Sequence, residues 1–339
     1  MSSESSAMLE RLLRGESLDE GDAHALVHAL ADGGVEAPLA GALLAALRAK
    51  GESAEEVRGL ARGLRELATT PAFETPADAC DLVGTGGDGS NSYNISTGGA
   101  LLAAAAGATI VKHGNRSISS RSGAADLLGA LGIKVPMPEP ATALRESRFV
   151  YLHAPAFHPA MAAIAPIRKA MGVRTVFNIL GPLTNPARPP FAVIGAFSPA
   201  IAELMAEALV GLDVERAFVV HGEPGWDEAT PCGPFLLFDV RQGRVQRTTR
   251  DPQEVGIERC SPEDLRGGTP EENADALRGV LNGNDAGPHR DALALTAGLA
   301  LEVSGKARDL SEGVSTAREA IVSGRTAALL GGLTSMDES

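Results

Sequence analysis

Three short runs carry the residue types that can do chemistry. Gly84-Thr85-Gly86-Gly87-Asp88-Gly89 follows the apolar stretch Cys80-Asp81-Leu82-Val83, and Lys112-His113-Gly114-Asn115-Arg116 follows the apolar stretch Ala108 to Val111. The third, Asp227-Glu228, closes the run His221-Gly222-Glu223-Pro224-Gly225-Trp226 behind another apolar stretch, Ala217 to Val220. Glycines directly after a strand let the backbone turn tightly and bring N–H groups up to an anion. Asn94, Ser96 and Thr97 stand where an alanine-rich helix should begin. A helix start offers free N–H groups and the positive end of the helix dipole. Lys112, Arg116 and Arg121 add positive charge beside the hydroxyls of Ser117, Ser119, Ser120 and Ser122. Taken singly, the runs also read as a tight turn, a solvated basic turn and a solvated acidic loop. Read together, two anion cradles at neighbouring strand ends, bridged by one helix, predict a βαβ unit that holds several phosphates. The spacing is neither a Walker A sequence nor the dinucleotide fingerprint, which favours a mononucleotide-like or sugar-phosphate ligand. Adjacent carboxylates past a strand end, opposite these cradles, are placed to hold magnesium through oxygen ligands.

The elements that must position these runs are legible in outline. Residues 1–72 show helical periodicity, with Leu39, Leu43, Leu44 and Leu47 on one face and capping-box patterns at Ser17 to Glu20 and Ser53 to Glu56. They predict a small all-helical domain with no chemistry of its own. The prolines Pro71 and Pro76 bound a linker. From residue 73 to 339, strand and helix patterns alternate, as a mostly parallel central sheet requires. Fold class is therefore α/β, a small N-terminal helical domain plus a large α/β domain. Among the 339 residues, 44% are hydrophobic and only 4% aromatic, which suits closely packed helices on a sheet. No apolar run is long enough to span a bilayer, and MSSESSAMLERLL carries no signal-peptide pattern. Cys80, Cys232 and Cys260 are widely spaced, as reduced thiols of a cytoplasmic protein would be. A net charge of −13 argues against a general nucleic-acid surface, so an anionic substrate must be met by a local basic pocket.

GTGGDGSNSYNIST and KHGNRSISSRSGAAD resemble the two signature loops of the anthranilate phosphoribosyltransferase family of tryptophan biosynthesis. HAPAFHPAMAAIAPIRKAMGVRTVFNILGPLTNPA and HGEPGWDEAT continue the same pattern, so the resemblance covers nearly the whole chain. It implies transfer of a phosphoribosyl group from phosphoribosyl pyrophosphate to anthranilate, the second step from chorismate. It also implies that helices from residues 157–182 join the small domain, and that two copies pair through that domain. The resemblance places phosphoribosyl pyrophosphate against Gly84, Thr85, Gly87, Asp88, Ser92, Asn94, Ile95, Ser96 and Thr97 of the first loop. From the second loop it adds Lys112, His113, Gly114, Asn115, Arg116, Ser117, Ser119, Ser120 and Ala124. Anthranilate would lie against Gly84, His113, Asn115, His158, Arg168, Gly181 and Pro182, with the Arg168 guanidinium suited to its carboxylate. Two magnesium ions per subunit would be held by Ser96, Asp227 and Glu228. No residue is compelled to act as nucleophile, acid or base. His153 departs from the family pattern where an apolar residue is expected, as does Trp226 where Leu or Met is expected. Rival readings are a nucleoside phosphorylase or phosphoribosyltransferase for another aromatic acceptor, and a non-catalytic relative that binds nucleic acid or a partner. Asp227 and Glu228 favour the pyrophosphate substrate; the complete loops and the acidic charge speak against the second.

Overall fold

The computed structural model of the chain describes residues 2–116 and 121–336. Four helices come first: α1 (Ser2–Leu13), α2 (Glu20–Ala31), α3 (Ala37–Lys50) and α4 (Ala54–Glu66). The expected capping box opens α4: Ser53 Oγ accepts the Glu56 N–H, and Glu56 Oε2 accepts the Ser53 N–H at 2.7 Å. At the start of α2 the cap is Asp19 rather than Ser17, with Asp19 Oδ1 accepting the Asp22 N–H at 2.8 Å. Ser17 is drawn elsewhere, because its hydroxyl accepts a bond from Lys50 Nζ at 3.1 Å. Leu26, Val27, Leu43, Leu47, Leu60 and Leu64 fill the bundle core, which the sequence periodicity anticipates.

Seven strands follow: β1 (Ala79–Gly84), β2 (Thr109–Gly114), β3 (Phe149–His153), β4 (Phe191–Gly195), β5 (Arg216–Gly222), β6 (Phe235–Arg241) and β7 (Arg244–Arg250). They form one sheet in the order β3-β2-β1-β4-β5-β6-β7. The first five run parallel, and β6 and β7 add an antiparallel hairpin at one edge. Parallel strands are covered on both faces, and β5 shows the consequence in its alternation. Phe218 and Val220 point into a core with the helices Ile95–Ala105 and Pro288–Val303, whereas Ala217 and Val219 point into the core shared with α2 to α4. Ile164, Val176, Phe177, Ile179 and Leu180 belong to that second core, so the segment around helix Met161–Met171 packs with the bundle. The C-terminal ends of β1, β2, β4 and β5 thus open beside the seam between bundle and sheet. Among the described residues, no helix is long and apolar enough to cross a membrane.

Candidate functional site

The first loop leaves β1 at Gly84 and turns through Gly86 and Gly87, at φ +66° and +73°, a backbone region that favours glycine. Its course is fixed by the segment after β5. Thr85 donates its N–H to the Gly195 carbonyl at 3.0 Å, and Gly86 donates to Asp227 Oδ2 at 2.6 Å. Asp88 Oδ2 accepts the Asp227 N–H at 3.2 Å. Glu228 reaches the other limb of the loop: Oε2 accepts from Ser92 Oγ at 2.8 Å and Oε1 accepts from the Ser96 N–H at 3.1 Å. That approach needs bare backbone beneath it. A Cβ on Gly195 would lie 1.6 Å from the Asp227 carbonyl oxygen, and one on Gly84 would lie 2.4 Å from Asp227 Oδ2.

Helix Ile95–Ala105 starts from Asn94 in the left-handed conformation, and the Asn94 side chain does not cap it. Instead Asn94 Nδ2 donates to the Ser122 carbonyl at 2.9 Å, and Asn94 Oδ1 accepts from Asn273 Nδ2 at 2.8 Å. Asn94 therefore ties the first loop to the end of the second. Ile95 and Thr97 are buried under the loop. The Ser96 N–H, free in the sequence reading, is already engaged by Glu228.

Asp227 and Glu228 sit where charge is costly. Burial pushes the Asp227 carboxyl well above its usual range, and the charges of Asp88 and Glu228 push it further. Burial raises Glu228 to about 7, against the opposing bond from Ser92. Lys112 supplies the nearby positive charge, with burial lowering its ammonium to about 8 against the pull of Asp81, Glu228 and Asp227. Lys112 lies within β2 rather than in the loop, and its amine donates to the Leu82 carbonyl and lies 3.3 Å from Ser96 Oγ. It thus faces the first loop. Packed oxygen donors whose own charges repel suit a hard divalent cation such as magnesium. A cavity of about 20 Å³, enough for a water, lies beside Ser96, Asp227 and Glu228. Another of about 230 Å³, lined by Ile133, Met137, Ala143 and Leu333, shares none of these residues.

In the second loop, Gly114 pairs with His153 in register, and a Cβ there would meet the Tyr151 hydroxyl at 3.0 Å. His153 is stacked with Tyr151, ring centroids 6.4 Å apart, so this departure from the family pattern lies against the loop. Arg116 pairs with Asp126 at 2.7 Å. Asp126 also accepts the Gly123 N–H, just before Ala124 opens helix Ala124–Ala130, and Ala125 donates to the Asn115 carbonyl at 3.4 Å. Ser117, Ser119 and Ser120 lie outside the described residues.

Towards the bundle, His113 Nε2 and His158 Nε2 are 3.2 Å apart, one donating and the other accepting. Burial lowers His113 to about 3, with His158 adding to it and a bond to the Gly181 carbonyl opposing it. Gly181 and Pro182 form a single 3₁₀ turn, Gly181–Leu183. Arg168 lies over the Phe177 ring, 5.4 Å from its centroid, and burial lowers its guanidinium. Among the described residues it has no carboxylate partner.

Sequence reading missed two braces. Asp81, buried and raised to about 6 chiefly by burial, accepts from the His113 N–H at 3.1 Å and from Asn185 Nδ2 at 2.9 Å. Arg174 donates to the Gly87 carbonyl, stacks over Phe197 and accepts, through its own carbonyl, a 2.6 Å bond from Arg48 of α3. It links the bundle directly to the first loop. The only sequence signal for it was a basic residue in the glycine-bounded run Gly172 to Thr175.

A helical bundle against a mostly parallel sheet, with two anion-type loops and a buried carboxylate pair at the strand ends, defines a glycosyl-transfer architecture. Residues 76–327 match the glycosyl transferase family, a/b domain, and residues 6–68 match the glycosyl transferase family, helical bundle domain. Anthranilate phosphoribosyltransferase of Desulforudis audaxviator is 45% identical over 320 residues, 93% of this chain and 91% of that protein. The enzyme of that name from Solibacter usitatus is 46% identical over 320 residues, 93% and 94% of the two chains. The crystal structure of anthranilate phosphoribosyltransferase from Thermus thermophilus superposes with a TM-score of 0.91 at 43% identity, covering 98% of this chain and 99% of that one. The Saccharomyces cerevisiae enzyme in complex with phosphoribosyl pyrophosphate and magnesium gives 0.87 at 28% identity, with 98% of each chain covered. The chain belongs to the anthranilate phosphoribosyltransferase family.

Proposed function

We infer that the chain transfers the phosphoribosyl group of phosphoribosyl pyrophosphate to the amine of anthranilate, releasing pyrophosphate and giving N-(5-phosphoribosyl)anthranilate. The observation that carries this reading is the glycine loop tied to the buried Asp227 and Glu228, joined to Arg168 on the helical segment that packs with the bundle. The first carries the buried carboxylates of Asp227 and Glu228; Arg168 is a half-buried guanidinium over Phe177 with no carboxylate partner among the described residues.

Roles follow from the chemistry of each group. Gly84 to Thr97 form the pyrophosphate side, and Lys112 adds a positive charge there. His113 to Ala124 form the 5-phosphate and ribose side. Asp227 and Glu228 would hold magnesium, Ser96 would serve a second ion, and the metal when bound neutralises charge on the departing pyrophosphate. Arg168 and the Gly181-Pro182 turn would orient anthranilate, with His113, Asn115 and His158 walling the ring. Holding a weak aromatic amine in line with the anomeric carbon is positioning catalysis, and fixed N–H donors aimed at the leaving group add electrostatic stabilisation. The amine loses its proton as the bond forms, and this reading assigns no side chain as the base.

A homodimer through the bundle belongs to the same reading. So does a cytoplasmic site of action, which suits the three free cysteines. Mass spectrometry of a mixture of protein, anthranilate, phosphoribosyl pyrophosphate and magnesium tests the reading. A phosphoribosylated anthranilate supports it; phosphoribosyl pyrophosphate binding without that product overturns the choice of acceptor.

A further inference from the structure

Helices α2 and α4 carry a cluster that the transfer reaction does not use. His24 and His28 are four residues apart on α2 and so share one face of it. Glu66 is the last residue of α4. Two glycines of α4, also four apart, bring the helices together. A Cβ on Gly59 would lie 2.2 Å from the Glu20 carbonyl oxygen, and one on Gly63 would lie 2.3 Å from Val27 Cγ1. With those side chains absent, the last turn of α4 delivers its carboxylate to the histidine pair. Glu66 Oε2 is 2.7 Å from His24 Nε2 and 3.5 Å from His28 Nε2, and the two rings are 4.6 Å apart. One donor atom from each residue lies within 4.8 Å of the others. His28 Nε2 is buried and, among the described residues, has no hydrogen-bond partner closer than this 3.5 Å approach to Glu66.

We propose that His24, His28 and Glu66 form a binding site for a first-row divalent transition metal, with zinc as the reference ion. Two imidazole nitrogens and one carboxylate oxygen are a donor set that zinc takes, with a water completing four-coordination. Imidazole donors favour zinc, nickel or copper over magnesium, which separates this cluster from the all-oxygen carboxylate pair at the strand ends. Tetrahedral bonds of about 2.0–2.1 Å set ligand atoms about 3.3–3.5 Å apart. The His28–Glu66 separation of 3.5 Å already matches, and the 2.7 Å His24–Glu66 bond has to open by under about 1 Å as the ion replaces its proton. Bound metal would clamp the end of α4 to the middle of α2 and stabilise the bundle, since an ion that binds only the folded chain shifts the folding equilibrium towards it.

The test uses the full chain without a histidine tag, stripped with chelator and titrated calorimetrically with zinc chloride in the presence of magnesium. One zinc per chain at micromolar affinity or tighter, with a rise in thermal midpoint, is expected. Glu66→Gln should weaken binding by at least about tenfold, and the double change His24→Ala with His28→Ala should abolish it. Cobalt gives a check that does not depend on those variants folding: a tetrahedral visible spectrum lacking a thiolate charge-transfer band is expected. Cys232 and Cys260, whose sulfurs are 3.8 Å apart, are the competing soft donors. Binding that survives the histidine variants, that is lost in Cys232→Ser with Cys260→Ser, or that is absent in the wild-type chain overturns the proposal.

Discussion

Asp227 Oδ2 accepts the Gly86 N–H at 2.6 Å across 141 residues of chain. That bond, with the return bond from the Asp227 N–H to Asp88, makes the glycine loop and the carboxylate segment one unit. The acids hold the loop in its turn, and the N–H groups of Gly86 and Ser96 are spent on them. Disturbing either partner should therefore disturb both ligands' subsites.

Gly195→Ala tests that coupling. The added methyl group would collide with the Asp227 backbone, so the segment must move. Overpacking of this kind costs about 1–3 kcal/mol. The thermal midpoint should fall, and the magnesium concentration giving half-maximal rate should rise even in the folded fraction. A fall in midpoint with unchanged magnesium dependence would argue that the loop and the acids are independent.

Asp227→Asn separates stability from activity. Burial and the neighbouring charges of Asp88 and Glu228 disfavour a charged Asp227, so a neutral amide should leave the unfolding midpoint without metal unchanged or higher. Turnover should fall by at least about a hundredfold, in line with several kcal/mol of lost charge stabilisation. Steady-state rates beside a melting curve read both; equal losses in the two would make Asp227 merely structural.

Arg168→Ala should raise KM for anthranilate about ten- to hundredfold, the range for losing a charge-assisted hydrogen-bond pair of about 1.5–3 kcal/mol. KM for phosphoribosyl pyrophosphate should stay within about twofold, a shift under about 0.5 kcal/mol. Arg168→Lys should recover only part of the loss, because an ammonium cannot make the bidentate contact. Equal increases for both substrates would remove Arg168 from the acceptor side.

The buried His113 gives the fold an acid limb. Its folded pKa of about 3 lies below the ordinary 6.5, so between those values the unfolded chain takes up a proton that the folded chain refuses. Stability from this group is complete above about pH 6.5 and is lost as the pH falls towards 3, about 2 kcal/mol by pH 5. Urea unfolding of the wild type and of His113→Asn over this range should show a shallower decline in the variant. Parallel declines would assign the acid limb to other groups.

Much of this site was visible in the sequence because its signals are local. Glycines behind apolar strands, hydroxyls at a helix start and an acid pair after β5 each announce themselves within a few residues. The bundle likewise follows from helical periodicity and the Ser53 capping box, and the parallel sheet from alternating strands and helices. What sequence could not give was direction across the chain. A buried parallel strand is apolar throughout, so nothing marked that the Lys112 amine would turn to the first loop. Nor did anything local show that Glu228 would take the Ser96 N–H, or that Asn94 would bind the Ser122 carbonyl instead of capping its helix. Arg174 and Asp81 were missed for the same reason: their partners lie far away in sequence. Ser17 lost its cap role to Asp19 through a bond to Lys50 of the neighbouring helix, a tertiary contact overriding a local pattern.

The most direct measurement is the loss of anthranilate fluorescence with phosphoribosyl pyrophosphate present, first in excess chelator and then with magnesium restored. The account predicts no loss in chelator and a steady, saturable loss once magnesium is added. An unchanged signal with magnesium, while phosphoribosyl pyrophosphate still binds, would contradict it and move the search to another acceptor.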